Sequence, residues 1–198
     1  MANEDLTKNI IFYDLEYTRK HQFTTPISIG IVSNDGTEEF YAEFTDYDYS
    51  QVDQWLQTNI INLLTLQDKK DGFLEKTSTR TLVKGTVEYV LCSSGGLNDW
   101  ISHWERPIIM ASFGNSYDWV LFREMFKKAN MDFPSFISKW TLDIASIYMD
   151  YGYDPDKRDD FKEHFLGIGT EQKHNALFDA QVAQRFYYKM KKIGRNNL

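Results

Sequence analysis

The chain has 198 residues, of which 42% are hydrophobic, 16% aromatic and 26% charged, a composition that excludes collagen-like, low-complexity and disordered classes. Its 22 Lys and Arg against 29 Asp and Glu give a net charge of −7. That balance argues against tight nonspecific binding to duplex nucleic acid, because such binding depends on basic residues that neutralise phosphates.

One domain is expected, with neither a membrane span nor a signal peptide, and a cytoplasmic location follows from that expectation. The single cysteine, Cys92, excludes an internal disulfide and a cysteine-based zinc cage. It is predicted to be a small buried thiol.

The first third of the chain is predicted to form three successive antiparallel strands. Residues 10–16 are an almost continuous apolar and aromatic run, which is typical of a central strand covered on both faces. Residues 26–33 form a second apolar run, and residues 38–44 alternate apolar with polar side chains. The Asp35-Gly36 pair between these two runs is a hairpin turn signal.

The segment 45–104 has weaker signals. Helical spacing of apolar residues predicts helices over residues 55–66 and 97–104, and the charged stretch 68–81 is interpreted as an exposed loop.

The remainder of the chain alternates between strand and helix signals. Strands are predicted at residues 107–111 and 139–142, and helices at residues 116–129, 144–151 and 175–192, the last with Asn175 as its N-cap. This order predicts an α/β domain with a mixed sheet, in which three antiparallel strands are followed by parallel strands and helices flank the sheet. The ribonuclease H-like architecture has this order of elements.

Two carboxylates are predicted to lie together at the end of the first strand. Asp14 and Glu16 are two residues apart, so both side chains leave the face that Ile10 and Phe12 also use. The alternative is a solvated strand end, since this composition gives about one Asp-x-Glu by chance.

Two further acids fall on the apolar faces of predicted helices. Asp118 opens the helix of residues 116–129 and shares its face with Leu121 and Phe122; the alternative is a first-turn acid that the helix dipole favours. Asp179 lies at the edge of the apolar stripe of the last helix, beside Phe186, where a carboxylate is costly unless it is paired or bound to a metal.

Four inward acids would repel one another, and divalent cations would relieve that repulsion. Hard carboxylate ligands favour Mg²⁺ or Mn²⁺, and two such ions about 3.5 to 4 Å apart stabilise the attacking and leaving oxygens of a phosphoryl displacement. His174 lies five residues before Asp179 and is predicted to be the separate proton acceptor, because histidine titrates close to neutral pH. His21, His103 and His164 are interpreted as surface or core residues.

Three motifs in this order resemble those of the DEDDh 3′-to-5′ exonuclease superfamily, a ribonuclease H-like group. They are FYDLEYT at residues 12–18, GNSYDWVLF at residues 114–122 and HNALFDA at residues 174–180. Together they cover nearly the whole chain, and the resemblance implies a single exonuclease domain over residues 1–198. The tyrosine-using sister group would need Tyr at position 175, which is Asn.

The resemblance implies that Asp14, Glu16, Asp118 and Asp179 hold two Mg²⁺ or Mn²⁺ ions and that His174 deprotonates the attacking water. The implied reaction removes mononucleotides from a 3′ end as 5′-monophosphates. The compact form is similar to small single-domain exoribonucleases of actinobacteria and their phages, so RNA is the favoured substrate. The expected location is then the cytoplasm of a bacterial cell or of a phage-infected host.

The expected partners are single-stranded RNA or DNA 3′ ends and the nucleoside monophosphate product, with no membrane, and a homodimer is allowed. Single-stranded DNA is the alternative substrate. A non-catalytic nucleotide or RNA-end binding module on the same fold, and a structural interaction domain, are the alternative functions.

Aromatic residues near the motifs are candidates for contact with terminal bases. Tyr17, Phe113 and Tyr117 are predicted to stack on bases, with a core position as the alternative, and Thr18 is grouped with them as a substrate-binding residue. Further along the chain, three basic residues flank the third motif as candidates for phosphate contacts or a solvated face; they are Arg158, Lys162 and Lys173.

Two departures from the family pattern affect the grip on the terminal nucleotide. Many members carry Thr-Gly just after the first motif, where this chain has Thr18-Arg19-Lys20. The family's Asn four residues before the middle acid is Gly114 here, with Asn115 one position later.

Overall fold

A seven-stranded mixed sheet crosses the molecule, and helices pack on both of its faces. The computed structural model describes residues 9–104, 107–157 and 174–196. The strands are β1 (Ile10–Tyr17), β2 (Pro26–Val32), β3 (Glu39–Phe44), β4 (Phe73–Lys76), β5 (Arg80–Gly85), β6 (Ile109–Ser112) and β7 (Leu142–Asp143). The helices are α1 (Gln54–Asn59), α2 (Val87–Cys92), α3 (Leu97–Ser102), α4 (Ser116–Lys128), α5 (Ile144–Asp150) and α6 (Ala176–Asn196).

The strand order in the sheet is β4-β5-β3-β2-β1-β6-β7. The first three strands form an antiparallel meander, and β6 then pairs parallel with β1 and β7 parallel with β6. The predicted mixed sheet of three antiparallel strands followed by parallel strands is thereby confirmed. Within the described ranges, none of the helices is both long enough and apolar enough to cross a bilayer.

The interpretation of residues 68–81 as an exposed loop was wrong. This part of the chain contributes β4, which is antiparallel to β5, and β5 is in turn parallel to β3. Strand β4 is the outermost strand of the sheet, and its Glu75 and Lys76 are exposed. An edge strand with a solvent-exposed face needs no continuous apolar run. The charged residues of β4 therefore gave the same sequence pattern as an exposed loop.

The helices of the same region are shorter than the periodicity indicated. Helix α1 ends at Asn59 and is followed by a separate 3₁₀ turn, Ile61–Leu63, and α2 was not predicted. Cys92 is exposed, so the prediction of a buried thiol was wrong. It is the last residue of α2, whose buried side is formed by Val87, Val90 and Leu91.

The alternation of side chains along β1 divides the core into two layers. Ile11, Tyr13 and Leu15 pack in the layer that contains residues of α2, α3 and α4. Ile10 and Phe12 pack in the layer that contains residues of α5 and α6. Because side chains alternate with a period of two, positions 14 and 16 belong to the second layer and point to the side of α6.

Helix α6 lies unusually close to β2, at a glycine. Gly30 pairs directly with Asp14 of β1, and a Cβ atom on Gly30 would lie 2.1 Å from the Leu177 nitrogen and 2.3 Å from the Ala176 carbonyl carbon. Both contacts are with backbone, which cannot rotate away. Glycine is therefore needed at position 30 for the first turn of α6 to reach the sheet.

We expect Gly30→Ala to lower the free energy of unfolding by about 1–3 kcal/mol, the usual cost of overpacking a core. The first turn of α6 should be displaced, so its amides should exchange faster with deuterium, while chemical denaturation measures the stability. Ile31→Val is the matched control, because residue 31 points into the other layer. It should cost about 0.5–1.5 kcal/mol without affecting exchange in α6. Unchanged exchange in Gly30→Ala would contradict the close approach.

Candidate active site

Three carboxylates meet where the end of β1 faces the first turn of α6. Asp14 and Glu16 come from the strand and Asp179 from the helix, and each offers an oxygen within 4.8 Å of the others. Asp179 is 6% exposed, and the Glu16 side chain is 12% exposed. The two strand acids share a face as predicted, and α6 completes the group.

This donor set fits a hard divalent cation. Carboxylate oxygens are the ligands that Mg²⁺, Mn²⁺ and Ca²⁺ prefer, and a bound cation offsets the mutual repulsion of acids that lie this close together. Asp14, Glu16 and Asp179 are therefore the residues that would hold a metal ion.

Asp118 is buried at the start of α4 but lies outside the 4.8 Å group. Asp118 lines the same pocket as Asp14 and Glu16, and its side chain reaches that pocket from the opposite layer of the core. The sequence thus placed Asp118 on an inward face, as the structure does. Its carboxylate is near enough to Tyr13 and Tyr17 to raise the pKa of both phenols, an effect second to that of their burial.

His174 stands immediately before α6 and is held there by the start of the helix. Asn175 is the N-cap, since its Oδ1 accepts the Phe178 amide at 3.0 Å, as predicted. His174 has a left-handed backbone (φ 65°), uncommon for a residue other than glycine, and its amide donates to Asp179 Oδ2 at 3.2 Å. Its Nδ1 lies 3.8 Å from Glu16 Oε1.

Trp55 of α1 borders His174, with the two ring centroids 5.2 Å apart in an edge-on arrangement. The indole remains 53% exposed and lines the pocket. Asp53 holds α1 in this position by accepting the Leu56 amide at 2.9 Å. The sequence assigned Trp55 only to an apolar helix face, because no local pattern relates residue 55 to residue 174.

Asp14, Glu16 and Asp118 line a pocket with a volume of about 830 Å³. Tyr17 lines it and stacks on Tyr117, with ring centroids 5.6 Å apart and an interplanar angle of 27°. Burial raises the pKa of the Tyr17 phenol well above its usual value, and the charges of Asp118 and Asp14 raise it further. Tyr17 thus keeps its proton at neutral pH and offers an O–H donor and an aromatic face.

Of the other candidates for substrate contact, Thr18 and Phe113 also line the pocket, whereas Tyr117 is not among its lining residues. Both Thr18 and Phe113 have partners within the fold. The buried Thr18 hydroxyl accepts the Thr25 amide at 3.0 Å and donates to Gln51 Oε1 at 2.8 Å. Phe113 packs against Phe186 with ring centroids 5.5 Å apart. The Thr18 contacts fix the start of the β1–β2 loop.

Asp143 holds the loop before α4, a role that no pattern in the sequence predicted. Its Oδ1 accepts the Gly114 amide at 3.0 Å and the Ala145 amide at 3.1 Å, and Gly114 has the positive φ (80°) that glycine adopts readily. The Asn115 amide contacts the Thr141 hydroxyl.

The β1–β2 loop adds basic residues to the pocket. Arg19, Lys20 and His21 line it, and His21, interpreted from the sequence as a surface or core residue, thus lies at the surface of the pocket. The three candidates for phosphate contacts named from the sequence, Arg158, Lys162 and Lys173, lie outside the described residues, as does His164.

A scan against protein-family models and a search of curated proteins found no match. Among solved structures, the chain is similar to the nuclease domain of 3′hExo, a DEDDh family member, bound to rAMP. The TM-score is 0.63 and the identity 14%, and the match covers 94% of this chain and 93% of that chain.

Two Pan2 structures are also similar, each over 100% of this chain and with a TM-score of 0.50. One is the catalytic unit (protease and nuclease domain) from Neurospora crassa, with 18% identity and 30% of that chain covered. The other is the Saccharomyces cerevisiae UCH-Exo module in complex with AAGGA RNA, with 17% identity and 32% of that chain covered. This chain thus spans about a third of each Pan2 module. These likenesses establish the fold, and the predicted ribonuclease H-like α/β class is confirmed.

We expect Mg²⁺ or Mn²⁺ to raise the melting temperature, because a ligand that binds only the folded state stabilises it by about 2.7 kcal/mol at 100 times its Kd. Asp179→Asn should remove most of this shift, since it deletes the one ligand that α6 supplies. Thermal denaturation in EDTA and at increasing metal concentration measures both effects.

The matched control is Asp132→Asn, which removes an exposed acid outside the pocket and should leave the metal-induced shift intact. An equal shift in Asp179→Asn and the unsubstituted protein would exclude Asp179 as a ligand.

Proposed function

We propose that this chain is a metal-dependent 3′-to-5′ exonuclease that hydrolyses RNA from its 3′ end and releases nucleoside 5′-monophosphates. The observation that carries the proposal is the meeting of Asp14, Glu16 and Asp179 within 4.8 Å, with the His174 imidazole beside Glu16. A pocket large enough for a nucleotide adjoins this group.

Asp14, Glu16 and Asp179 would hold Mg²⁺ or Mn²⁺, with Asp118 supplying a further carboxylate from the opposite wall of the pocket. When bound, such ions stabilise the negative charge that develops on the phosphoryl oxygens. The four carboxylates serve as ligands in this proposal, so a different residue has to take the proton of the attacking water.

His174 is that residue. Its imidazole lies at the edge of the carboxylate group. The hydrogen bond that the His174 backbone N–H donates to Asp179 Oδ2 holds the residue in its left-handed conformation, and the Trp55 ring packs against the imidazole. Glu16 Oε1, 3.8 Å from Nδ1, favours the protonated imidazolium that forms when the proton is accepted.

The terminal nucleotide would occupy the pocket beside Tyr17 and Phe113. Tyr17 gives the pocket an aromatic face, which Tyr117 supports by stacking on it, and base–aromatic stacking is worth about 1–3 kcal/mol. Thr18 contributes by holding the β1–β2 loop through Gln51. This loop presents Arg19 to the pocket where many DEDDh exonucleases have glycine.

The choice of RNA draws support from the similar solved structures, one bound to rAMP and one in complex with AAGGA RNA. It also accords with the resemblance to small single-domain exoribonucleases of actinobacteria and phages. The 2′-hydroxyl is the group by which a protein distinguishes RNA from DNA.

His174→Gln should lower kcat for RNA hydrolysis by about 10²- to 10⁴-fold, the usual contribution of a general base, and EDTA should abolish the activity. Oligonucleotides labelled at the 3′ or the 5′ end, incubated with Mg²⁺ or Mn²⁺, measure the rate and the direction, because 3′-to-5′ removal releases the 3′ label first as a mononucleotide. His103→Gln, which alters a histidine paired with Glu38 outside the pocket, should keep full activity. Metal-independent hydrolysis, or full activity in His174→Gln, would refute the mechanism.

The preference for RNA is tested with paired RNA and DNA oligonucleotides of one sequence. We expect kcat/KM to be at least tenfold higher for RNA, and a single 2′-deoxy substitution at the terminal nucleotide should remove much of this difference if the pocket reads the 2′-hydroxyl. Equal or faster hydrolysis of DNA would instead assign the chain to DNA 3′ ends. Binding of either polymer without turnover at saturating Mn²⁺ would indicate a binding module.

A further inference from the structure

A second concave surface lies between α6 and the turn that joins β2 to β3. This surface, the α6–turn groove, has a volume of about 520 Å³. The side-chain amide of Gln184 links the turn to the helix, because it donates hydrogen bonds to the carbonyl oxygens of Ser33 at 2.9 Å and Asn34 at 3.0 Å. The Tyr188 hydroxyl adds a contact with Asn34 Oδ1, so both walls of the groove are fixed.

Three cations line the α6–turn groove: Arg185, Lys189 and Lys192. They recur at i, i+4 and i+7 and therefore share one face of the helix. Within the part of the chain that the structure describes, no carboxylate lies within 4.0 Å of any of them. Among the described residues that line the groove, Asp35 is the one acid, and its Oδ1 accepts a hydrogen bond from the Ser33 hydroxyl at 2.7 Å. The groove thus carries a net positive charge.

This positive charge stands out against an acidic chain. Residues 180–198 contain five Lys and Arg and no Asp or Glu. Since the whole chain carries −7, the first 179 residues carry −12. Such segregation of charge marks a surface that attracts anions although the protein as a whole repels them.

An aromatic ring lies among these cations. Tyr188 is 40% exposed and lines the groove, and its contact with Asn34 restrains the ring. An exposed ring beside basic side chains is the combination by which proteins bind single-stranded nucleic acid, because bases stack on the ring while cations contact phosphates. An acidic peptide would use the cations and leave the ring unused.

We propose that the α6–turn groove is a second nucleic-acid contact, which holds the backbone of single-stranded RNA at a distance from its 3′ end. Arg185 and Lys192 follow His174 by 11 and 18 residues, which corresponds to about 16 and 27 Å along a helix. Only a substrate of several nucleotides can reach both places. The choice of RNA rests on the proposed function, whereas binding in the groove is independent of catalysis.

The test measures binding of a fluorescent 20-nucleotide RNA by anisotropy in EDTA, across a range of NaCl concentrations. The triple variant Arg185→Gln, Lys189→Gln, Lys192→Gln should bind at least about tenfold more weakly at low salt. Its plot of log affinity against log salt should be shallower by about 2, since each lost phosphate contact on a single strand reduces the slope by about 0.7.

The matched control neutralises three exposed lysines elsewhere, Lys70, Lys76 and Lys127, and gives the same change in net charge. It should keep most of the affinity and of the salt slope. A second pair of variants tests the ring: Tyr188→Leu should weaken binding several-fold, and Tyr188→Phe should not. Melting temperatures verify that each variant folds.

Hydrolysis of a dinucleotide separates this proposal from the proposed function, because a dinucleotide cannot reach the groove. The triple variant should cleave a dinucleotide at the unsubstituted rate and show a raised KM for the 20-mer. Unchanged RNA affinity and salt slope in the triple variant, with hydrolysis intact, would overturn only the second contact, whereas groove-dependent binding without any hydrolysis would overturn only the proposed function. Equal losses in the control triple, or tighter binding of polyglutamate than of RNA, would also overturn the second contact, and the latter would indicate an acidic protein partner.

Discussion

The candidate active site depends on the contact between the first turn of α6 and β2 at Gly30. Because position 30 has no Cβ, the helix backbone rests directly on the sheet opposite Asp14. This contact brings Asp179 to the two acids of β1 and sets His174 beside Glu16. A side chain at position 30 would separate the helix from the strand, and the acids and the histidine would then lie on unconnected elements.

The two ends of α6 carry side chains of opposite charge. The first turn carries Asp179 into a group of carboxylates, which suits cations, and the later turns carry the basic residues of the α6–turn groove. An acidic protein can therefore act on a polyanion if metal ions neutralise the reaction centre and a local basic surface contacts the backbone. The net charge of −7 averages over these two surfaces and describes neither of them.

The sequence predicted some strands and helices better than others, and the reason is physical. Strands β1 to β3 and helices α4 and α6 are long or strongly periodic, and their burial patterns follow from the local order of apolar and polar residues. The positions of strands β4 and β5 cannot be read from such a local pattern. Strand β4 is a short edge strand with one solvent-exposed face, and β5 is placed by its pairing with β3, in which Arg80 lies opposite Glu39, 41 residues earlier in the chain. Such long-range pairing leaves little trace in a local pattern.

The sequence by itself determined which way the acids point. The period of two put Asp14 and Glu16 on one face of β1, helical periodicity turned Asp118 and Asp179 inward, and Asn175 marked where α6 begins. Only the tertiary structure decided which of these acids meet: Asp179 joins the strand pair, Asp118 reaches the pocket from the other layer, and α1 brings in Trp55. Periodicity fixes directions within one element, whereas the distances between elements depend on how closely their backbones approach, and here that distance depends on Gly30.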